Sequence, residues 1–240
     1  MNLHEAHQLL IFNGQIATVF SYIPVVIIFY RFRYFKNIPL RWLFLYNLIY
    51  AMLNLFSAWF IDFATVHYDV LGPYLQKLNI YNTFFLEPFF YLSDIIFLSL
   101  FIRDSIEDIQ IKKNLNVIRW ILIIFILLNT IFGEGYTEYQ TIGSSVKNVF
   151  LLYVSILLLR RILYSSFQQK SYKIPYFWIC LSILVSVLGA GLIDFVSNRM
   201  YNDTEIIYYN AHVVVDLFYD ISYIFMAIGC WLFPYHGKIR

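Results

Sequence analysis

Residues 117–132 read VIRWILIIFILLNTIF, with Lys112 and Lys113 just ahead of them and no charge after Arg119. At about 1.5 Å per residue, a helix over this run and its flanks reaches most of the way across a hydrocarbon core roughly 30 Å thick. Nothing in the run alternates as a half-buried strand would. It is too apolar throughout to present a wet face, so its solvent is lipid. Working outward, six more stretches read in the same way. The seven expected spans are 8–30, 42–64, 79–102, 115–132, 141–160, 175–197 and 206–233, separated by short polar loops.

Composition agrees. Of 240 residues, 60% are hydrophobic and 13% charged, with a mean hydropathy of +0.65. A soluble domain carries about 25% charged residues, too many more for this chain to cover a water-facing surface of ordinary kind. The 24 Phe suit the lipid phase, whereas the 21 Tyr and 5 Trp suit its two interfaces. The expected fold is an all-α integral membrane protein, a single seven-transmembrane-helix bundle over 1–240 with no soluble domain. Any enzymatic or DNA-binding output then needs a partner. No basic segment precedes the first apolar run, so that run is expected to stay as a spanning helix rather than be cleaved. The two cysteines, Cys180 and Cys230, sit in apolar runs and read as buried thiols.

Orientation follows from Lys and Arg. Arg31, Arg33, Lys36 and Arg41 follow the first span; Arg103, Lys112, Lys113 and Arg119 lie between the third and fourth. Arg160, Arg161, Lys170 and Lys173 lie between the fifth and sixth, and Lys238 and Arg240 end the chain. These are 14 of the 17 basic residues, and only Lys77, Lys147 and Arg199 fall on the other side. Cytoplasmic loops collect basic residues, so the N-terminus is expected outside and the C-terminus in the cytoplasm. A bacterial inner membrane or a plasma membrane is the expected location. The basic loops are the expected docking face for a protein partner; nothing suggests nucleic acid.

Local echoes join the first three spans to the last three. Lys36-Asn37-Ile38-Pro39-Leu40-Arg41-Trp42 stands before the second span, and Lys173-Ile174-Pro175-Tyr176-Phe177-Trp178 before the sixth. Ile61-Asp62-Phe63 answers Ile193-Asp194-Phe195, and Glu87-Pro88-Phe89-Phe90-Tyr91-Leu92-Ser93 answers Asp216-Leu217-Phe218-Tyr219-Asp220-Ile221-Ser222. The hypothesis is a 3+1+3 parallel repeat of the kind found in transporters, with the apolar fourth span as the link. The alternative is chance likeness among helices rich in Phe, Ile and Tyr.

Six carboxylates fall inside the spans: Asp62, Glu87, Asp94, Asp194, Asp216 and Asp220. An Asp at the centre of a spanning helix costs about 2.5–3.5 kcal/mol on insertion scales, so such residues face the bundle interior and have a task. Steps of three and four residues put them on faces with Asn47, Tyr50, Asn54, Tyr209, His212 and Tyr223. Only Lys147 and a protonated His212 could pair with them inside the spans. The expected ligand- or ion-binding residues are therefore Asp62, Glu87, Asp94, Asp194, His212, Asp216 and Asp220. For a metal, the candidates are His212, Asp216 and Glu87, from His212-x3-Asp216-x3-Asp220; a bare H-x3-D on a helix is weak without convergent partners. The competing role for each carboxylate is structural, as a hydrogen-bonding lock between helices.

The topology is shared with seven-helix receptors and microbial rhodopsins. The latter carry an aspartate and a retinal lysine four residues apart in the last helix. Here that spacing reads Asp216-x3-Asp220 and the seventh span holds no lysine, which excludes a retinal Schiff base there. No cofactor follows from the sequence. The proline pattern of seven-helix sugar transporters and the histidine pair of intramembrane hydrolases are not matched. Three functions remain open: a receptor-like sensor or signalling subunit with an outward-facing acidic cavity, acting through a partner; a small transporter or proton/cation pathway; and an intramembrane metal-dependent hydrolase. A polar path closed below Asp220 favours the sensor, and one that continues past Asp94 favours transport. Pro24 and Pro88 are expected to kink their helices, Gly189-Ala190-Gly191 to allow close packing, and Asn202-Asp203-Thr204 forms a glycosylation sequon.

Overall fold

The computed structural model describes residues 3–30, 38–80, 82–137, 139–165, 173–194 and 205–232, which contain helices and no strand. Helices α1 (Leu3–Tyr30), α2 (Ile38–Val66) and the short α3 (Tyr68–Lys77) come first. The next segment is built in pieces: a single tight turn at Phe84–Leu86, α4 (Glu87–Ser93), a π-helical turn at Asp94–Leu98, and α5 (Ser99–Ser105). Then follow α6 (Ile109–Phe132), α7 (Thr141–Ser165), α8 (Pro175–Asp194) and α9 (Glu205–Leu232). Among the described residues, six helical segments are long and apolar enough to cross a membrane: those of α1, α2, Phe84–Ser105, α6, α7 and α9. In α8 the apolar stretch, Pro175–Gly191, is shorter. This is a polytopic helical membrane protein.

The helices form a ring. α1 packs along α2 and α9, α9 along α8, and α8 along α7; the Phe84–Ser105 segment closes the circle between α2 and α7. α6 leans against this segment from outside. In the apolar windows of Phe84–Ser105 and α7, 56% of residues are buried, against 17% for α1, α2 and α6, so the former two form the inner wall. The periphery shows Val19, Val26 and Phe29 of α1, Leu55 and Trp59 of α2, and Ile121, Ile124 and Leu128 of α6. So continuous an apolar surface would be an aggregation liability in water and is a lipid-facing belt here.

α8 and α9 approach closely because glycine stands at two crossings. A Cβ on Gly189 would run into the Phe218 side chain, and one on Gly229 would lie 2.6 Å from Ile179 Cγ1. Near Gly191, by contrast, only the Asn148 amide at 3.8 Å would be met.

Three local features differ from the sequence expectation. Part of the loop expected between the second and third spans is the helix α3, with Asp69 in its first turn and Lys77 in its last complementing the helix dipole. Pro88 does not kink a helix: it stands in the first turn of α4, where its missing N–H has no intrahelical partner to lose. The irregularity falls one turn later, at the π turn. Finally, α6 begins at Ile109 because the Asp108 carboxylate accepts the N–H groups of Gln110 and Ile111 at 2.9 and 3.2 Å.

The basic helix ends gather at one end of the bundle. There Trp42 Nε1 donates to Asp104 Oδ2 at 2.8 Å, and Arg103 grips the same carboxylate at 2.7 and 3.0 Å. Arg103 also reaches Asn116 at 3.3 Å, and Arg161 reaches Asp108 at 3.1 Å. Arg31, Arg33, Lys36, Lys170, Arg199, Lys238, Arg240 and the Asn202-Asp203-Thr204 sequon lie outside the described residues.

Candidate functional site: a buried Asp–Lys pair among tyrosines

Asp94 opens the π turn, and its side chain enters the middle of the bundle, where the residue is 3% exposed. Lys147 comes from the facing α7 and is 5% exposed. Its ammonium lies 3.6 Å from Asp94 Oδ2 and 5.0 Å from the centroid of the Tyr91 ring. Burying either charge alone is costly, and the pair offsets that cost only where further polar groups complete the shell. Such groups are near: Tyr46 and Tyr50 of α2 line the same small cavity as Asp94 and Lys147. Tyr219, Ser222 and Tyr223 of α9, Ser186 of α8 and Asn148 of α7, together with Leu98, Leu151 and Val187, line the rest of this cavity of about 20 Å³. This is the size of a single water molecule.

Away from the basic end, polar contacts continue from the pair. The Tyr91 hydroxyl donates to Glu87 Oε2 at 2.5 Å, and the Gln140 N–H reaches the same oxygen at 3.3 Å. Gln140 is anchored by its side-chain amide to the Gly135 carbonyl at 2.7 Å and to Thr130 at 3.2 Å. Toward the basic end, the Ser182 and Ser222 hydroxyls share a hydrogen bond at 2.9 Å, and Ser99, Ser105 and Ser155 are buried singly among apolar side chains. Ile95, Leu98, Phe101 and Ile102 meet Ile179, Cys180 and Ile183 of α8 and Val154, Leu158 and Ile162 of α7 in one contiguous apolar cluster. Phe101 and Tyr176 stack across it at 5.8 Å. Both cysteines, Cys180 and Cys230, are free and buried.

The expected site residues are spread over this frame. Asp94 lies at its centre, and Glu87 is bonded to Tyr91, whose ring faces the Lys147 ammonium. Asp216 and Asp220 are half-buried one turn apart on α9, Asp220 next to the cavity-lining Tyr219 and two residues before Ser222. Asp220 Oδ1 is buried and makes no hydrogen bond with the described residues. His212 lies a turn further out, its ring 4.2 Å from Tyr208 and 6.2 Å from Tyr139. Asp62 is exposed on α2. The Asp194 side chain lies outside what is described. Among the described residues, no three His, Cys, Asp or Glu side chains gather as a metal site requires.

Lys147, Tyr46 and Tyr219 were not among the expected site residues. Lys147 carried a signal nevertheless: a lysine six residues into an otherwise spanning helix is as expensive as an aspartate there and needs a buried partner. Tyr46 stands one turn from Tyr50 on the same face of α2, a weaker signal among 21 tyrosines.

No family model, curated protein or solved structure matches this chain. Any function rests on the arrangement itself.

Proposed function

We propose that this chain is a receptor-like sensor or signalling subunit: seven crossings, N-terminus outside, C-terminus cytoplasmic, with Asp94 and Lys147 as the element a stimulus from outside resets. The supporting observation is the asymmetry of the core. Polar contacts run from Gln140 through Glu87 and Tyr91 to the Asp94–Lys147 pair, whereas the described side chains nearer the basic end are mostly apolar, with scattered buried serines. Such a core can receive a signal at one face and presents few polar groups on the way to the other.

The count of seven treats α8 as a crossing. Its 20 residues at about 1.5 Å each span about 30 Å, the thickness of the hydrocarbon core. The neighbour order supports the 3+1+3 layout too: with α6 outside, the six others close a ring in which each half contributes three consecutive segments. Orientation rests on the basic end formed around Arg103 and Arg161. In this reading the signal passes to a separate partner at that end. A π turn is rare and recurs at functional positions in helices. Here it sets Asp94 at the junction between α4, tied to those polar contacts, and α5, tied at the basic end through Arg103 and Asp104. Loss of the Asp94–Lys147 pair lets this turn relax and shifts α5.

Proton and cation flux tests the reading against its transport alternative. Proteoliposomes containing the protein and an internal pH- or potassium-sensitive dye should leak no faster than empty vesicles across an imposed gradient. Protein-dependent flux that Asp94→Asn or Asp220→Asn abolishes would favour transport and overturn the sensor.

A further inference from the structure

The ten residues of α3, YDVLGPYLQK, are joined through His67 to the outer end of α2. Taken at 100° per residue, Tyr68, Leu71, Leu75, Leu78, Tyr74 and Val70 form one continuous apolar arc, and Asp69, Gln76 and Lys77 the opposite polar one. The protein covers only part of the apolar arc. Leu71 and Leu75 are half-buried and Gly72 is buried, whereas Val70 and Tyr74 are each 67% exposed and Leu78 52%. These three are spaced i, i+4, i+8, a single stripe along the helix. The stripe continues a surface already in lipid, since Trp59, Phe63 and Val66 of α2 are exposed on the turns that lead to it. The Trp59 and Phe63 rings stack at 4.9 Å, and the His67 ring meets Phe63 at a tilt, 4.7 Å between centroids.

We propose that α3 is an interfacial helix, lying on the membrane surface with Val70, Tyr74 and Leu78 among the lipid glycerol and upper acyl groups and Asp69 and Gln76 in water. Tyrosine suits this depth, its ring apolar and its hydroxyl wet. A short amphipathic helix binds in this way in proportion to the apolar area it can bury in the boundary. Lipid contact thereby fixes the outer end of the next segment as well: the Tyr136 hydroxyl donates to the Leu78 carbonyl at 3.2 Å and ties α3 to the loop between α6 and α7. This placement depends on α2 spanning the bilayer and not on the sensor reading.

The test is fluorescence quenching of the full chain in nanodiscs of phosphatidylcholine and phosphatidylglycerol. Single cysteines at Val70, Tyr74, Asp69 or Gln76 carry an environment-sensitive dye, in a background with Cys180→Ser and Cys230→Ser. Labels at 70 and 74 should emit at shorter wavelength and be quenched severalfold more by headgroup-level nitroxide lipids than labels at 69 and 76, with aqueous iodide giving the opposite order. Equal iodide quenching at all four positions would show α3 standing clear of the membrane and overturn the proposal. Circular dichroism matching the unlabelled chain secures that each labelled protein is folded.

Discussion

A lysine and an aspartate buried side by side are individually expensive and jointly tolerable, and this sets what substitutions at the two positions do. Lys147→Met strands the Asp94 carboxylate among tyrosines, and Asp94→Asn strands the ammonium. Removing one partner of a buried pair typically costs about 3–5 kcal/mol, whereas replacing both by neutral groups costs far less than the sum. Unfolding of the two single variants and of the double variant in mixed micelles measures this. The double variant is expected to be more stable than either single one; strictly additive losses would mean that the two charges do not interact. The sequence made Asp94 legible as a costly intramembrane carboxylate and Lys147 as one of two cations that could pair inside the spans, but not which carboxylate Lys147 would meet. A linear sequence gives approximate depth along a helix and not the facing direction across the bundle. That direction is set by how α7 packs against α8 and the Phe84–Ser105 segment. For the same reason the sequence could group Asp62 with the other carboxylates, although it emerges on the exposed side of α2.

At the scale of the element, helix termini were less legible than helix centres. The apolar runs mark the middles, because hydropathy reports what must be in lipid, while ends depend on caps. α6 starts at Ile109, well before the expected 115, because Asp108 caps it. The Ile111 and Gln110 N–H groups, together with Arg161, hold the Asp108 carboxyl below the usual carboxylate range. A group whose folded pKa is depressed stabilises the fold at pH above its unfolded pKa, and that contribution is lost as pH falls through the folded value. Melting curves of wild type and Asp108→Asn, which keeps an acceptor but no charge, should therefore differ at pH 7, begin to converge as the pH falls below about 4, the unfolded carboxylate range, and meet only below the depressed folded value. A gap that is unchanged down to pH 3 would remove the charge from the explanation. The π turn had no sequence signal, since nothing in Asp94-Ile95-Ile96-Phe97-Leu98 separates it from α-helical sequence. α3 was hidden because a ten-residue amphipathic stretch is too short and too polar to register as a span.

For the whole molecule, a lipid-embedded helical protein was legible from composition alone, and the basic end of the bundle was legible from charge. The closing of the ring was not, because it depends on which helices touch. In that ring the third segment carries Asp94 at its centre and Arg103 and Asp104 at its basic end, so it links the polar core to the face where a partner would dock. The central claim is that the Asp94–Lys147 pair governs the arrangement of that face. Spin labels on Glu107→Cys and Lys173→Cys, both exposed and beside the inner ends of α5 and α8, report it by pulsed electron resonance in nanodiscs. Introducing Asp94→Asn, or Lys147→Gln as an independent perturbation, should shift the interspin distance or create a second population. Distance distributions that superpose on the parent in both variants, with helical content intact, would contradict the coupling and leave the buried pair a structural lock.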